Sequence, residues 1–373
     1  MDHTQNRSTP RGTTFEAVRG DYLRTLSDTS AKNMRPVLER FEAYLTRNGI
    51  DVIESIDVYD CRRYASSLAD DEEAGDIAAS TAHTYFDYVA GFLGYCVREG
   101  LLDTNPARKN QATENLPEDR GERERQFWDP ADRQRLFQFV DRRVDSALEP
   151  PRVPSQILER RMRDRAIVYV LGKTGVRGAE VFAVSGDETR NGLRWADVNL
   201  EDGVLRVLGK SRNIEAAPLP SRPRAALSRW QDVLEPPTDE WPVFPSDHAP
   251  SKYRCLRDGL EGDHSESTIE TLLSKNDVDE LLREYEVPPP SISTAGARRV
   301  MQRLCEDAGI GLEEDEEYLK PHGARRALGD ELYRENPTTA QTALRHKSIE
   351  TTKAAYSDIE TGELNDAIDA LED

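Results

Sequence analysis

The sequence predicts a mainly α-helical protein of two domains, with one small antiparallel β-sheet in the second domain. Apolar residues recur with helical spacing before residue 107 and again after residue 127, and a polar stretch separates the two regions. Three short segments between residues 193 and 219 are instead β-prone and divided by turn residues. The chain of 373 residues is long enough for two or three domains, each with its own core.

The first region, residues 14–107, is predicted to form four helices. The clearest runs from Ala31 to Asn48, where one face collects the apolar side chains Met34, Val37, Leu38, Phe41, Tyr44 and Leu45. Segments 57–70 and 80–99 repeat the pattern, and Gly100 follows as a helix stop. These features indicate a small helical domain.

Residues 108–126 are polar throughout and follow the breaking pair Asn105-Pro106. A segment with almost no apolar side chains cannot anchor itself on a core, so it is predicted to be an exposed linker. We therefore expect a hinge between the helical domain and the region that follows.

The second domain is predicted to begin near Phe127, with Asp129-Pro130 as the start of its first helix. A long helical run covers 161–183. A three-stranded antiparallel sheet is then expected from the segments 193–200, 203–209 and 213–219.

Further helices are expected after the sheet. Residues 247–290 are polar and interrupted, which indicates an insertion or a long loop with one helix near 276–285. The helical spacing is found on both sides of this segment, at 221–234, 293–308, 322–335, 337–345 and 349–357.

Composition excludes several classes of protein. No stretch approaches the roughly 18 apolar residues of a membrane span, and the first residues lack the apolar core of a secretion signal. The four cysteines form no CxxC pair, which argues against a disulfide framework or a structural zinc site. We expect a cytoplasmic protein.

The charge pattern is unusual. The chain carries 50 basic and 70 acidic residues, a net charge of −20, and arginines outnumber lysines by 41 to 9. This balance is typical of proteins adapted to molar salt inside the cell, although a GC-rich genome would also favour arginine. In molar salt the Debye length is only about 3 Å, so local arginine clusters matter more for partner binding than the total charge.

Three segments concentrate chemically useful side chains. The first contains Thr-Gly-Val-Arg177-Gly-Ala-Glu180, the second Gly-Lys210-Ser-Arg212, and the third Pro-His322-Gly-Ala-Arg325-Arg326, followed by Leu344-Arg-His346-Lys-Ser-Ile-Glu-Thr-Thr and Tyr356. Arginine offers a planar fork that grips two phosphate oxygens, and tyrosine can act as a nucleophile. The set suits an anion of high charge density.

These segments resemble the tyrosine recombinase, or phage integrase, family of site-specific recombinases. The family pattern is an Arg in T-G-[LV]-R-x-x-E, a Lys in a β-turn, H-x-x-R, and L-G-H-x-S-x-x-T-T before the tyrosine, and this chain has the four boxes in that order. Leu193-Arg-Trp-Ala-Asp197 and Asn105-Pro-Ala also match. The likeness covers roughly residues 14–360. It implies a helical core-binding, SAM-like domain at 14–107, an α+β catalytic domain at 127–360 and a tail at 361–373.

The resemblance also implies roles for the residues. Arg177 and Arg325 would clamp the scissile phosphate, His322 and His346 would add hydrogen bonds, and His322 is also a candidate base. Lys210 would protonate the leaving 5′ hydroxyl, and Tyr356 would be the nucleophile of a 3′-phosphotyrosyl intermediate. Neither a cofactor nor a metal is expected. Glu180 is interpreted as the structural partner of an arginine, and the acidic run Glu313–Glu317 as a solvated surface.

Two departures from the family pattern concern the last box. Arg345 replaces the usual glycine before the second histidine, and Tyr356 lies ten residues after His346 where nine are usual. One extra residue turns a helix by about 100°, so we expect the helix to start later, with Ser348 as its cap, or to contain a bulge. Two insertions, at 185–192 and 247–290, also depart from the pattern.

The resemblance implies double-stranded DNA as partner and a homotetramer on paired sites, with the tail docking on a neighbouring protomer. Two other functions remain open. A binding module would keep the fold and lose cleavage, which the shifted Tyr356 favours. A type IB topoisomerase would use nearly the same residues on one duplex.

Overall fold

The computed structural model describes residues 14–118, 126–150, 153–311 and 318–355. The chain forms two compact units, one before and one after the boundary between residues 124 and 125. In the described ranges, no helix combines the length and the apolar character that crossing a membrane requires.

The first unit is built from four long helices, as predicted. They are α1 (Phe15–Arg24), α2 (Asp28–Arg47), α3 (Val58–Glu73) and α4 (Ala79–Arg98). Ser27 caps α2 by accepting a hydrogen bond from the backbone N–H of Ser30, and Asp57 forms a capping box with Asp60 at the start of α3. Their apolar faces meet in one core, which includes Phe41, Tyr64 and Phe92.

The structure differs from the predicted linker at residues 108–118. Pro106–Arg108 form a 3₁₀ turn, and α5 (Asn110–Thr113) packs against α3. Ala107 and Ala112 are both buried in the core of the first unit, and Leu116 packs against it. The segment is held on the core by two small alanines and one leucine, although its other residues are polar. Because these apolar residues are so few, composition alone predicted an exposed chain.

The other end of the predicted linker is also packed. Gln126 is buried, and its side chain bonds the carbonyl of Tyr318 (2.9 Å) and the N–H of Lys320 (2.6 Å). The indole of Trp128 donates to the carbonyl of Lys320 at 2.8 Å. The first residues of the second unit therefore form hydrogen bonds with Tyr318 and Lys320, which directly precede the helix that carries His322 and Arg325.

The second unit contains eleven helices among its described residues. They are α6 (Pro130–Leu148), α7 (Ser155–Thr174), α8 (Gly178–Val181), α9 (Ser221–Leu234), α10 (Ala249–Leu260), α11 (Glu266–Lys275), α12 (Val278–Glu284), α13 (Thr294–Asp307), α14 (Pro321–Glu335), α15 (Pro337–Leu344) and α16 (Ile349–Ala355). The predicted run 161–183 is thus two helices, because Gly175 ends α7 with a left-handed backbone.

Helix α7 organises the second unit. Every residue from Ala166 to Leu171 is buried, and α6, α9 and α14 all pack around the helix. A helix that is apolar on all sides must be surrounded by other elements. The C-terminal end of α7 and the start of α14 are thereby fixed in one rigid core.

The predicted sheet is confirmed as three antiparallel strands in the order β1 (Val198–Asn199), β2 (Val204–Leu208) and β3 (Ile214–Pro218). The first strand is much shorter than the segment 193–200, because Trp195–Asp197 form a 3₁₀ turn. Strands β2 and β3 form a hairpin in which Leu208 pairs with Ile214. The intervening turn carries Lys210.

Residues 247–290 are not a long loop. They contain the three helices α10, α11 and α12, where one was predicted. Their apolar side chains join the main core at a few positions, namely Leu256, Leu260, Ile269, Val278, Leu281 and Leu282. These apolar residues are too few to predict helices in a segment of polar composition, but together they bury one face of each helix.

We expect native protein to resist trypsin at Arg108 and Lys109, although both side chains are exposed. A protease needs an extended segment, and the buried Ala107 and Ala112 hold this one in place. Mass spectrometry of timed digests measures the cleavage. Ala112→Asp should open both sites, whereas Ala74→Asp, at an exposed position of the same unit, should not. Equally fast cleavage in the wild type and in Ala112→Asp would contradict the packing.

Candidate active site

Arg177 lies in a tight turn between α7 and α8. Gly175 continues the chain beyond α7 with φ of 67°, a conformation that glycine adopts without steric cost. Arg177 then occupies the cap position at the start of α8. Its side chain is 28% exposed, so the guanidinium stays partly open to solvent.

The buried carboxylate of Glu180 holds this turn. It accepts hydrogen bonds from the backbone N–H of Arg177 (2.8 Å) and from Nη1 of the same residue (2.7 Å), and Nη2 of Arg345 donates at 2.5 Å. Burial opposes its charge, but Arg345 and Arg177 outweigh that effect and lower the pKa of Glu180. The pairing agrees with the structural role predicted for this residue.

Arg325 joins two turns that are far apart in the sequence. It is 3% exposed on the first turns of α14. Its Nη1 donates to the carbonyl of Gly175, and its Nη2 donates to the carbonyl of Leu344. Each carbonyl lies two residues before a predicted site residue, namely Arg177 and His346. One buried guanidinium therefore fixes both turns relative to α14.

His322 lies three residues before Arg325 on the same helix, so the two share a face. It stays exposed at the helix start. Partial burial lowers the pKa of His322, and the charges of Arg326, Arg325 and Arg177 lower it further. The imidazole therefore faces a cationic environment that favours its neutral form.

His346 follows α15 and faces the same arginines. Burial, followed by the charges of Arg325, Arg177 and Arg345, lowers the pKa of His346 to about 4. Its Nδ1 lies 2.9 Å from Oγ1 of Thr352, a buried residue of α16. The ring is thus held in one orientation in its neutral form.

The helix that leads to the predicted nucleophile begins as expected. Oγ of Ser348 accepts a hydrogen bond from the backbone N–H of Thr351 at 3.3 Å, which caps α16. The described part of this helix reaches Ala355. Tyr356 lies outside the described residues, as do the acidic run Glu313–Glu317 and the predicted tail at 361–373.

Arg345 has a left-handed backbone (φ of 55°) at the end of α15. A side chain in this conformation costs about 1–2 kcal/mol, which explains why glycine is usual at this place in the family pattern. The side chain of Arg345 is 8% exposed, and its Nε lies 3.2 Å from the carboxylate of Glu215 in addition to the bond with Glu180. The buried ion pair with Glu180 and the half-buried pair with Glu215 oppose the strain.

Lys210 is exposed in the turn between β2 and β3. Its side chain makes no hydrogen bond or ion pair within the part of the chain that the structure describes. The turn itself is anchored, because Ser211 donates to Glu215 at 3.1 Å and Glu215 pairs with Arg345. The lysine is therefore held near the His346 turn by its backbone, while its ammonium group is exposed.

Four of the six predicted site residues are connected through the bonds of Arg325 to two turns and through the charges that act on both histidines: Arg177, His322, Arg325 and His346. The turn of Lys210 joins them through Glu215. Sequence reasoning missed the residues that hold this turn, namely Glu215, Asp187 and Arg190. Two of them lie in the insertion at 185–192, but no motif distinguishes them from its other polar residues.

The chain is similar to known proteins over much of its length. The model of the Phage integrase family matches residues 153–363, more than half of the chain. Tyrosine recombinase XerC of Pseudomonas syringae pv. tomato is 27% identical over 207 residues, which cover 56% of this chain and 58% of that protein. Tyrosine recombinase XerD of Pseudomonas aeruginosa is 27% identical over 208 residues, again 58% of the relative. The chain therefore spans less than two thirds of these relatives.

Two solved structures share the fold. The XerH site-specific recombinase, in a post-cleavage complex with palindromic difH substrate, matches with a TM-score of 0.56 and 17% identity, over 92% of this chain and 80% of that one. The Tn1549 transposon integrase, in complex with transposon right-end DNA, matches with a TM-score of 0.55 and 15% identity, over 95% and 99% of the two chains. At these identities the likeness is one of architecture.

His346 is expected to make the fold less stable in acid. An unfolded histidine binds a proton near pH 6.5, whereas folded His346 does so only near pH 4. Between these values the unfolded state binds more protons, so stability falls as the pH drops through this range. Denaturant unfolding at several pH values should show a larger loss for the wild type than for His346→Gln. Parallel pH dependences would contradict a depressed pKa.

Proposed function

Because this chain belongs to the phage integrase family, we propose that it is a site-specific tyrosine recombinase that cuts and rejoins double-stranded DNA. One observation carries the proposal. The guanidinium of Arg325 ties the turn of Arg177 to the turn of His346, and His322 lies one helical turn before Arg325. Such a combination of arginine and imidazole side chains suits a phosphate. Similarity to XerC and XerD supports the same activity.

The proposed reaction is a transesterification at phosphorus. The phenolic oxygen of Tyr356 attacks the scissile phosphate and forms a bond to phosphorus, while the bond from phosphorus to the 5′ oxygen breaks. The phenol proton passes to a base, and the 5′ oxygen takes up a proton as it leaves. The products are a 3′-phosphotyrosine and a 5′ hydroxyl. Attack by another 5′ hydroxyl reverses these steps and rejoins the strand.

Arg177 and Arg325 would bind the non-bridging oxygens, where negative charge develops in the transition state. Arg325 is already fixed by its two carbonyl partners, and Arg177 by Glu180. Donors held in place before the reaction stabilise such charge most effectively, because they need not reorganise. The carboxylate of Glu180 would thus position a catalytic group without touching the phosphate itself.

The two histidines would act as neutral hydrogen-bonding groups. If Thr352 donates to Nδ1 of His346, the proton of the ring lies on Nε2, which can donate to a phosphate oxygen. His322 is exposed and has a lowered pKa, so its neutral ring can accept a proton. A free tyrosine has a pKa near ~10 and therefore needs such a base.

Lys210 would donate the proton that the leaving 5′ oxygen requires. Its exposed side chain can reach toward DNA, while its backbone is anchored through Glu215 and Arg345. Tyr356 would supply the attacking hydroxyl, and it lies four residues after Thr352 in the sequence.

The finer assignments follow from the same proposal. The helical residues 14–107 and the catalytic residues 127–360 would bind the duplex together, and four copies would assemble on paired sites, with 361–373 docking on a neighbour. The acidic composition and the excess of arginine over lysine favour work in molar salt, within the cytoplasm. Since salt screens distant charges at this concentration, DNA would be held by close arginine contacts.

Tyr356→Phe should abolish a covalent protein–DNA adduct and leave DNA binding intact, because only a hydroxyl is lost. The test uses duplexes that the purified chain selects from a random pool in molar salt, each nicked so that the cleaved strand diffuses away. Denaturing gels detect the adduct, and mass spectrometry locates the nucleotide. Tyr333→Phe, which alters the buried tyrosine of α14, is the matched control.

Three results would contradict this proposal in different ways. An adduct on Tyr333 would show that Tyr333, and not Tyr356, is the nucleophile. No adduct under any condition, with DNA still bound, would favour a binding module. Relaxation of supercoiled DNA by monomers that need no second site would favour a topoisomerase.

Arg325→Ala should slow cleavage of saturating DNA by about 10²-fold or more, because a preorganised donor is lost. Binding should change by only a few fold, since many contacts share it. The variant should also lose about 1–3 kcal/mol of stability, because two carbonyls lose their donor. Arg334→Ala, on the exposed end of the same helix, removes an equal charge and should leave cleavage unchanged. Arg325→Lys should stay slow; full rescue by lysine would show that charge alone suffices.

A further inference from the structure

The insertion at 185–192 lies against the turn that carries Lys210. We propose that Asp187 and Arg190 are positioning residues that hold this turn, and with it the proton donor, against the helix start of Arg177. The inference rests on the proposed function, because it assigns a purpose to the position of Lys210. We refer to Asp187 and Arg190 together as the hairpin brace.

Asp187 grips the far side of the turn. Its two carboxylate oxygens accept from Nη1 and Nη2 of Arg212 at 3.1 and 2.9 Å, which is a bidentate pair. Arg212 lies two residues after Lys210 and has a left-handed backbone with φ of 64°. Asp187 itself is 6% exposed and also accepts from the hydroxyl of Thr189 at 2.6 Å. The pair is therefore rigid at its carboxylate end.

Arg190 grips the near side. Its Nη1 donates to the carbonyl of Leu208 at 2.9 Å, and its Nη2 donates to the carbonyl of Gly209 at 2.7 Å. Gly209 immediately precedes Lys210. The same Nη1 also donates to the carbonyl of Ala179 in α8, at 3.0 Å. One guanidinium thus connects the helix that Arg177 caps with the residue next to the lysine.

The brace binds the turn and the last residue of β2, Leu208, but not the buried part of the sheet. The buried side chains that fix β2 and β3 in the core are Leu205, Val207 and Ala217, and none of them contacts Asp187 or Arg190 through a hydrogen bond. A cavity of about 380 Å³ lies beside the brace, lined in part by Arg206 and Ile214. The turn therefore has room to shift if the brace is cut, while the strands keep their packing.

A shift of the turn would slow cleavage because it would displace one group, the proton donor Lys210. General acids act only within hydrogen-bond reach of the atom they protonate, and a displacement of 1 Å can cost about 10²-fold in rate. The side chain of Lys210 is exposed and has no partner of its own among the described residues. The anchors of the turn therefore determine where the ammonium group can reach, and the brace supplies one on each side of Lys210, in addition to the bond from Ser211 to Glu215.

The test compares two substrates that differ in the leaving atom. In one, the 5′ bridging oxygen of the nicked duplex is replaced by sulfur. A thiol is far more acidic than an alcohol, with a pKa near ~8.5, so the sulfur leaves without a proton donor. A defect that arises only from a misplaced general acid should disappear with the sulfur substrate, whereas a defect in phosphate binding should persist.

We expect Asp187→Asn and Arg190→Gln to slow cleavage of the oxygen substrate by about 10-fold and Lys210→Ala by about 10²-fold. All three should cleave the sulfur substrate near the wild-type rate, and Arg325→Ala should not. Arg194→Gln is the matched control, because it removes an arginine that donates to the carbonyl of Glu240, outside the turn. It should cleave both substrates normally.

Trypsin cleavage after Lys210 gives a second measurement that does not depend on activity. Both brace variants should be cut there faster than the wild type and Arg194→Gln. If the sulfur substrate restored cleavage by Lys210→Ala but not by the brace variants, the inference alone would be overturned. The same would follow if trypsin cut the brace variants after Lys210 no faster than it cuts the wild type. Absence of an adduct from the wild type on either substrate would overturn the proposed function, and the trypsin result would still decide whether the brace holds the turn.

Discussion

The geometry of the site depends on one buried guanidinium. Arg325 donates to the carbonyls of Gly175 and Leu344, which belong to turns 150 and 19 residues away from it in sequence. Buried carbonyls need donors, so Arg325 stabilises the two turns in their observed places. The same side chain is the proposed ligand of the phosphate. Arg325 is therefore needed both to stabilise the two turns and to bind the phosphate in the proposed reaction.

Around this centre, carboxylates organise the cations. Glu180 is shared by Arg177 and Arg345, and Glu215 is shared by Arg345 and the turn of Lys210. Exposed ion pairs contribute little and weaken further in salt, whereas pairs removed from solvent are screened much less. A protein with a net charge of −20 can thus place acidic residues next to its cationic site, where they hold the arginines of the site in position.

Local signals in the sequence predicted most of the fold, and short motifs supplied the candidate site residues. Caps such as Asp129 and Ser348, the helical spacing of apolar residues and the β-prone segments are all encoded within a few residues. The brace could not be predicted in this way, because Asp187 meets Arg212 only through the folded path of the hairpin, and nothing in the spacing distinguishes it. Two of the three helices within 247–290, α10 and α11, were missed because a few buried apolar residues fix segments whose composition is polar.

Arg345 has a consequence for how this sequence can change. A glycine there would relax the backbone but leave buried Glu180 and half-buried Glu215 without their common partner. Replacing either acid alone would weaken the compensation for the strained arginine. The three positions are therefore epistatic: each residue is tolerable because of the other two. A lineage that acquired this arginine could return to the common glycine only through linked substitutions, so the departure is expected to persist among its descendants.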